Sequence, residues 1–272
     1  MHQEENLLIF LHIVKAGGTS LRWALEEQFP CKNVLRCYES KGCTLDQVSA
    51  IPEKKRKKFQ FFVSHYSFGT HELFPQPASY ITMLREPIAR SISQYYSFIY
   101  EDPKGKWNNS VRSIAGYIHN MKRIKHDNLQ LRYIANLLQE EELTPNHLEI
   151  AKANLENHFS AVGITERFEE SLALFSKVFG WKKLTYVRRN ITKSKPVDFR
   201  LEPDLLKLLN KHNELDLALY EFCLSLFDSE LEKHKVCFTN INSAQQNTMM
   251  TKGQLYFRRA FRKVQRKILR LP

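Results

Sequence analysis

Leu7 to Leu21 reads Leu-Leu-Ile-Phe-Leu-His-Ile-Val-Lys-Ala-Gly-Gly-Thr-Ser-Leu, and the fold turns on this stretch. Leu7 to Ile13 is an almost unbroken apolar run, the pattern of a strand buried on both faces of a parallel sheet. A glycine-containing turn follows from Lys15 to Ser20. Leu21, Ala24, Leu25 and Phe29 then recur at helical spacing. Strand, glycine turn and helix in that order form a phosphate-binding unit. Gly17 and Gly18 let backbone N–H groups approach a phosphate with no Cβ in the way. A helix starting near Thr19 adds partial positive charge at its N-terminus. An ordinary turn between strand and helix carries the same letters, so the loop alone does not decide.

Working outward, Phe59–Ser64 and Tyr80–Leu84 are two further apolar runs, ending in Ser64-His65 and Arg85-Glu86-Pro87. Pro87 suits the first turn of a helix that continues through Ile88, Ile92, Tyr95, Tyr96 and Ile99. Residues 102–110 read as a loop. Residues 111–160 read as largely helical with a break near Thr144-Pro145. Ala161–Ile164 and Leu184–Val187 are short strand candidates, Phe168–Phe179 is a helix, and Pro203–Phe227 reads as one long helix. Strands alternating with helices predict an α/β fold with a central, mainly parallel sheet. Active sites of such sheets lie beyond the carboxyl ends of the strands. The first three strands would deliver Lys15, His65 and Arg85 there.

The chain has 272 residues, 43% of them apolar and 26% charged, which excludes disordered and fibrous classes. Lys and Arg number 41 against 29 Asp and Glu, a net charge of +12, and this favours an anionic partner. One basic run is Lys54–Lys58. The other is the tail from Thr251 to Pro272, with eight Lys/Arg and no acid. There Phe257, Phe261, Val264 and Ile268 follow helical spacing, making a basic amphipathic helix. It would serve as a membrane-surface contact through 255–270, a dock for an anionic acceptor, or a helix packed on protein.

Five cysteines, Cys31, Cys37, Cys43, Cys223 and Cys237, include no CxxC pair, so no metal site is expected. Reduced thiols are the expectation, with a disulfide among the first three if the protein is luminal. The N-terminus has no basic segment leading into a long apolar one, and no apolar run approaches the roughly 18 residues of a spanning helix. The expected compartment is a bacterial cytoplasm with peripheral membrane contact, or the Golgi lumen for a truncated eukaryotic chain.

The order of the first loop, with Lys15 before the glycines, is not that of GxxxxGK[ST]. His12-Ile13-Val14-Lys15-Ala16-Gly17-Gly18-Thr19-Ser20 instead resembles the His-Ile-Pro-Lys-Thr-Gly-Gly-Thr-Ser signature of the membrane-type carbohydrate sulfotransferases. That group includes heparan sulfate 2-O-sulfotransferase and bacterial relatives. Val14 and Ala16 depart from the signature. Tyr80–Tyr96, with Arg85-Glu86-Pro87 and Arg90-Ser91-Ile92-Ser93, resembles the family's second signature. His65 lies between the two and matches the family's proposed catalytic base. The resemblance covers roughly residues 7 to 200 and implies a P-loop-like sulfotransferase fold. It also implies 3′-phosphoadenosine 5′-phosphosulfate (PAPS) as donor and adenosine 3′,5′-bisphosphate as product.

By that resemblance, Lys15, Ala16, Gly17, Gly18, Thr19 and Ser20 hold the 5′-phosphosulfate, and Arg85 and Ser93 hold the 3′-phosphate. Lys193, Ser194 and Lys195 cover the cofactor, His65 takes the proton from an acceptor hydroxyl, and Lys15 steadies the leaving oxygen. An imidazole suits that proton transfer, and an arginine fork matches phosphate oxygens. The stretch Val162–Leu172 resembles a third family segment, with Thr165 capping a helix and an acceptor-side role open for Glu166. The reading is a sulfotransferase domain over 1–248 and the basic amphipathic helix over 249–272. The acceptor is a glycan or glycolipid hydroxyl, with no metal and no nucleic acid required. The rival readings are a P-loop kinase, a basic nucleic-acid or membrane-binding module, and a sulfotransferase fold that binds without turnover.

Overall fold

The computed structural model describes residues 6–101, 111–181, 184 and 200–236. Five strands form one sheet in the order β2-β3-β1-β4-β5: β1 (Leu7–Leu11), β2 (Val34–Cys37), β3 (Phe61–Ser64), β4 (Ala78–Leu84) and β5 (Phe159–Ile164). Every pairing is parallel. β1 is central, with Phe10 registered against Val63 on one side and Ile81 on the other. All five of its residues are buried, as the unbroken apolar run requires.

The helices in chain order are α1 (Gly18–Glu26), α2 (Leu45–Ser49), α3 (Glu53–Arg56), α4 (Pro87–Glu101), α5 (Ile114–His119), α6 (Leu129–Ile134), α7 (Pro145–His158), α8 (Phe168–Val178), α9 (Pro203–His212) and α10 (Glu214–Lys233). One core cluster unites the sheet with α1, α6, α7, α8 and α10. A second, smaller one joins Tyr117, Ile118 and Met121 to Leu209, with Ile88, Ile92 and Phe98 packed against it.

The α/β class and the parallel sheet agree with the sequence, and four details differ. β2 had no counterpart in the hydrophobic pattern; it is a four-residue edge strand with the polar Arg36 inside it. The helix expected over Pro203–Phe227 is two helices broken at Asn213. This buried side chain donates to the Leu209 carbonyl at 2.8 Å and accepts from Ser91 Oγ at 3.2 Å. The helical stretch over 111–160 is cut where Lys125, Asn128 and Asn136 take positive φ, a region that ends regular helix. Leu184 lies outside any strand. Residues 185–187, the loop 102–110, Lys193, Ser194 and Lys195, and the tail helix over 249–272 lie outside the described residues.

Cys37 and Cys43 form a disulfide, which corrects the expectation of reduced thiols throughout. Both are buried, and their Cα atoms stand 5.1 Å apart, a normal separation for a bridge. Cys31 and Cys223 are free thiols.

Candidate active site

The carboxyl ends of β3, β1, β4 and β5 bring His65, the Lys15–Ser20 loop, Arg85 and Thr165–Glu166 to one edge of the sheet. Adjacent strands lie about 4.8 Å apart, so residues just past these ends are neighbours.

The loop has its shape for steric reasons. Lys15 sits at φ 66 and Gly17 at φ 72. The left-handed region is costly for lysine, and such strain is typical of functional loops. Gly17 caps α1, and a Cβ there would lie 3.2 Å from Thr165 Cγ2. Gly18 opens α1, and a Cβ there would overlap the His12 ring. The two glycines thus let the turn pack between β5 and the end of β1. Ala16 and Ser20 are buried, and Thr19 is partly exposed.

Arg85 ties the loop to β4. Its Nη1 donates to the Lys15 carbonyl at 3.1 Å, and its Nε lies 3.8 Å from Glu166 Oε1. Among the described residues Nε has no hydrogen-bond acceptor. Burial lowers the Arg85 pKa, and the Glu166 carboxylate works against that shift. The backbone of Arg85 is held on both sides by one amide: it donates to Gln130 Oε1 at 2.9 Å, and Gln130 Nε2 donates to its carbonyl at 2.8 Å. Glu86 does not serve as the partner of Arg85. Its carboxylate accepts from the backbone of Ile88 and Ala89, occupying the N–H groups at the start of α4. Ser93 lies two turns along α4, with a largely buried side chain.

His65 Nδ1 is 2.6 Å from the His12 carbonyl oxygen. A carbonyl only accepts, so Nδ1 carries a proton, which in the neutral ring leaves the lone pair on Nε2. The ring packs at 4.4 Å from that of His12 and meets Tyr38 edge-on at 4.6 Å. The Tyr38 hydroxyl reaches His12 Nδ1 at 3.0 Å. Burial above all, then His65 and Arg22, hold the His12 pKa well below its usual value, so His12 is neutral around pH 7. Burial pushes the Tyr38 phenol up to about 12. The two neutral groups thus share one hydrogen bond.

Residue by residue, the structure brings together His65, Lys15, Ala16, Gly17, Gly18, Thr19, Ser20 and Arg85. A second histidine between β3 and β4, His71, bonds the Tyr80 hydroxyl near the start of β4, away from the carboxyl ends. Thr165 does not cap a helix; it donates to the Leu84 carbonyl at 2.8 Å and fixes β5 beside Arg85. Three participants carried no signal specific enough to find: Tyr38, Gln130 and Tyr220, the last donating to Glu166 at 2.9 Å; Glu166, left open for an acceptor-side role, stands beside Arg85. Their roles come from pairings 26 to 80 residues apart. Among the described residues no group of three or more His, Cys, Asp or Glu could hold a metal ion.

Comparison with known proteins adds an independent line. A family model described as galactose-3-O-sulfotransferase matches residues 28–239, beginning after the glycine loop. Heparan-sulfate 6-O-sulfotransferase 3-B of Danio rerio is 25% identical over 278 residues, covering 82% of this chain and 64% of that protein. Heparan-sulfate 6-O-sulfotransferase 3 of Mus musculus is 25% identical over 289 residues, covering 85% and 59%. The chain thus spans about three-fifths of the length of these relatives. A crystal structure of mouse sulfotransferase SULT7A1 complexed with PAP overlaps 99% of this chain and 86% of that one. Its identity is 12% and its TM-score 0.35, too loose for residue-level correspondence.

Proposed function

The chain belongs to the galactose-3-O-sulfotransferase family, and on that premise we propose that it transfers a sulfuryl group from PAPS to a glycan hydroxyl. The observation that carries this reading is the meeting of a base-ready His65 with the strained Lys15–Ser20 loop and Arg85 across three adjacent strand ends.

The residues present fit the donor. Gly17 takes a positive φ and Gly18 opens a nine-residue helix whose amides favour an anion. Arg85 offers a guanidinium whose Nε has no acceptor among the described residues, suited to a phosphate. Lys15, Gly17, Gly18, Thr19 and Ser20 would hold the 5′ end, and Arg85 with Ser93 the 3′-phosphate. PAPS, when bound, supplies the sulfuryl group and departs as adenosine 3′,5′-bisphosphate. His65 Nε2 accepts the proton of the acceptor hydroxyl, while the His12 carbonyl keeps Nδ1 protonated and the ring aimed. Lys15 contributes positive charge where the leaving oxygen gains negative charge. Catalysis on this account is positioning and charge neutralisation, with no step that calls for a metal.

A glycan or glycolipid is the acceptor class. Its support is the family, the heparan-sulfate relatives and a net charge of +12 that favours an anionic chain. The narrower likeness to heparan sulfate 2-O-sulfotransferase and bacterial relatives rests on the two loop signatures alone. The Cys37–Cys43 bridge favours an oxidising compartment over the cytoplasm. The segment 255–270 remains the candidate for membrane-surface contact.

Calorimetry with adenosine 3′,5′-bisphosphate, on wild type and Arg85→Ala, tests the reading. The wild type should bind, and the variant should lose about 2–3 kcal/mol, roughly 30- to 150-fold in Kd. Equal affinity in the two proteins, or a preference for ATP with magnesium, would sink it.

A further inference from the structure

Tyr38 has no part in the mechanism above, yet its ring is 5% exposed and touches both histidines of the site. It stands directly after β2, which among the described residues is an edge strand paired with β3 alone. An edge strand of four residues gives the next segment of chain only a weak anchor. Three connections compensate. The Cys37–Cys43 disulfide closes the segment on which Tyr38 stands. Within that segment the Cys43 amide donates to the Tyr38 carbonyl at 3.2 Å. The Tyr66 hydroxyl, one residue beyond His65, donates to the Cys43 carbonyl at 3.1 Å. The bridged loop is therefore bonded to the segment that carries His65, and it presses Tyr38 against the His65 ring.

We infer that Tyr38 is a positioning residue for His65, and that the Cys37–Cys43 disulfide holds Tyr38 in place, so that sulfuryl transfer requires the bridge. The inference rests on the reading of His65 as the base. The His12 carbonyl accepts from His65 Nδ1, and the edge-on Tyr38 ring on one side and the His12 ring on the other confine the plane of the imidazole. The hydrogen bond between the Tyr38 hydroxyl and His12 Nδ1 keeps the two flanking rings in register. When the bridge is cut, Tyr38 stands on an unclosed loop past a short edge strand, and the stack loosens. The cut itself is ordinary exchange with a dithiol. The S–S bond breaks, two electrons and two protons pass to Cys37 and Cys43, and the reagent closes to its cyclic disulfide.

Three proteins test this: wild type with and without dithiothreitol, Tyr38→Leu, and Tyr38→Phe. Long-range proton–nitrogen NMR reads the ring nitrogens of His65, calorimetry reads adenosine 3′,5′-bisphosphate, and radiolabelled PAPS reads transfer to heparan sulfate and to N-acetyllactosamine. Reduction and Tyr38→Leu should move His65 from the Nδ1-protonated form to a mixture of tautomers. Transfer should fall on the order of 10²-fold, with bisphosphate affinity unchanged. Tyr38→Phe keeps the ring and should restore most of what Tyr38→Leu loses, and bisphosphate affinity retained under dithiothreitol separates a loosened clamp from a reduced protein that merely unfolds. An unchanged His65 signal in both reduced wild type and Tyr38→Leu overturns the inference. Absence of bisphosphate binding in oxidised wild type overturns the sulfotransferase reading instead, and the NMR signal still judges the clamp.

Discussion

At the scale of single residues, Gly18 bears the sharpest demand. A methyl group there would overlap His12, whose ring is stacked on Phe10 at 5.1 Å and flanked by Tyr38 and His65. It has nowhere to move. Gly18→Ala should therefore cost about 1–3 kcal/mol by overpacking, at roughly 2–4 °C of Tm per kcal/mol for a chain of this size. It should also disturb His65, which hangs on the His12 carbonyl. Thermal unfolding measures the first effect; a Tm equal to wild type would mean that loop and ring have room between them. Sequence reading singled out Gly18 as a gap for phosphate. Its contact with His12 is a second reason for glycine at that position, legible only once β1 and α1 are folded together.

At the scale of elements, α6 and α10 cap one another. Asn128 precedes α6, yet its side chain accepts from the backbone of Leu215 and Asp216 at the start of α10. Asp216 in return accepts from the backbone of Gln130 and Leu131 at the start of α6, at 3.1 and 2.8 Å. Each helix start needs partners for its first N–H groups, and each takes them from the other. Burial raises the Asp216 pKa, while Arg90 and the two amides oppose that shift. The device matters to the site because Gln130 is the residue that grips the Arg85 backbone. Asp216→Ala should destabilise by about 2–4 kcal/mol, since two buried donors lose their acceptor. It should also weaken adenosine 3′,5′-bisphosphate binding although it lies outside the site. Urea unfolding and calorimetry on one variant check both; full affinity with lost stability would uncouple the caps from Arg85.

At the scale of the whole molecule, stability should depend on acid through buried histidines. His126 is stacked on Phe98 at 5.1 Å. Its pKa is pushed down to about 3, first by burial and then by Arg90 and Arg132. The unfolded value is about 6.5. Above it neither state is protonated and the folded protein has its full stability. As pH falls below it, the unfolded chain takes a proton that the folded chain refuses, so stability declines progressively between about 6.5 and about 3. At pH 5 this one group accounts for roughly 2 kcal/mol, and His12 acts in the same direction. Tm measured at pH 7.5 and pH 5 should show the decline, and His126→Gln should reduce it. A pH-independent Tm across that range would contradict the burial of His126.

The sequence by itself determined the parallel α/β sheet and the three strand ends that carry Lys15, His65 and Arg85. Those signals are local: an apolar run for a doubly covered strand, a glycine pair for a tight turn, a proline for a helix start. It also supplied both stretches that resemble sulfotransferase signatures, because each is contiguous in the chain. The tertiary structure decided what depends on distant pairings. Glu166 rather than Glu86 stands beside Arg85, because Glu86 is engaged at the start of α4. Asn213 breaks what reads as one helix, because Ser91 on α4 and the Leu209 carbonyl claim its side chain. Tyr38 meets His65 on a segment that the Cys37–Cys43 bridge closes and the Tyr66 hydroxyl bonds. No local pattern encodes these contacts: each is set by which strands lie side by side, and strand order is fixed only when the apolar faces of the whole chain are buried together.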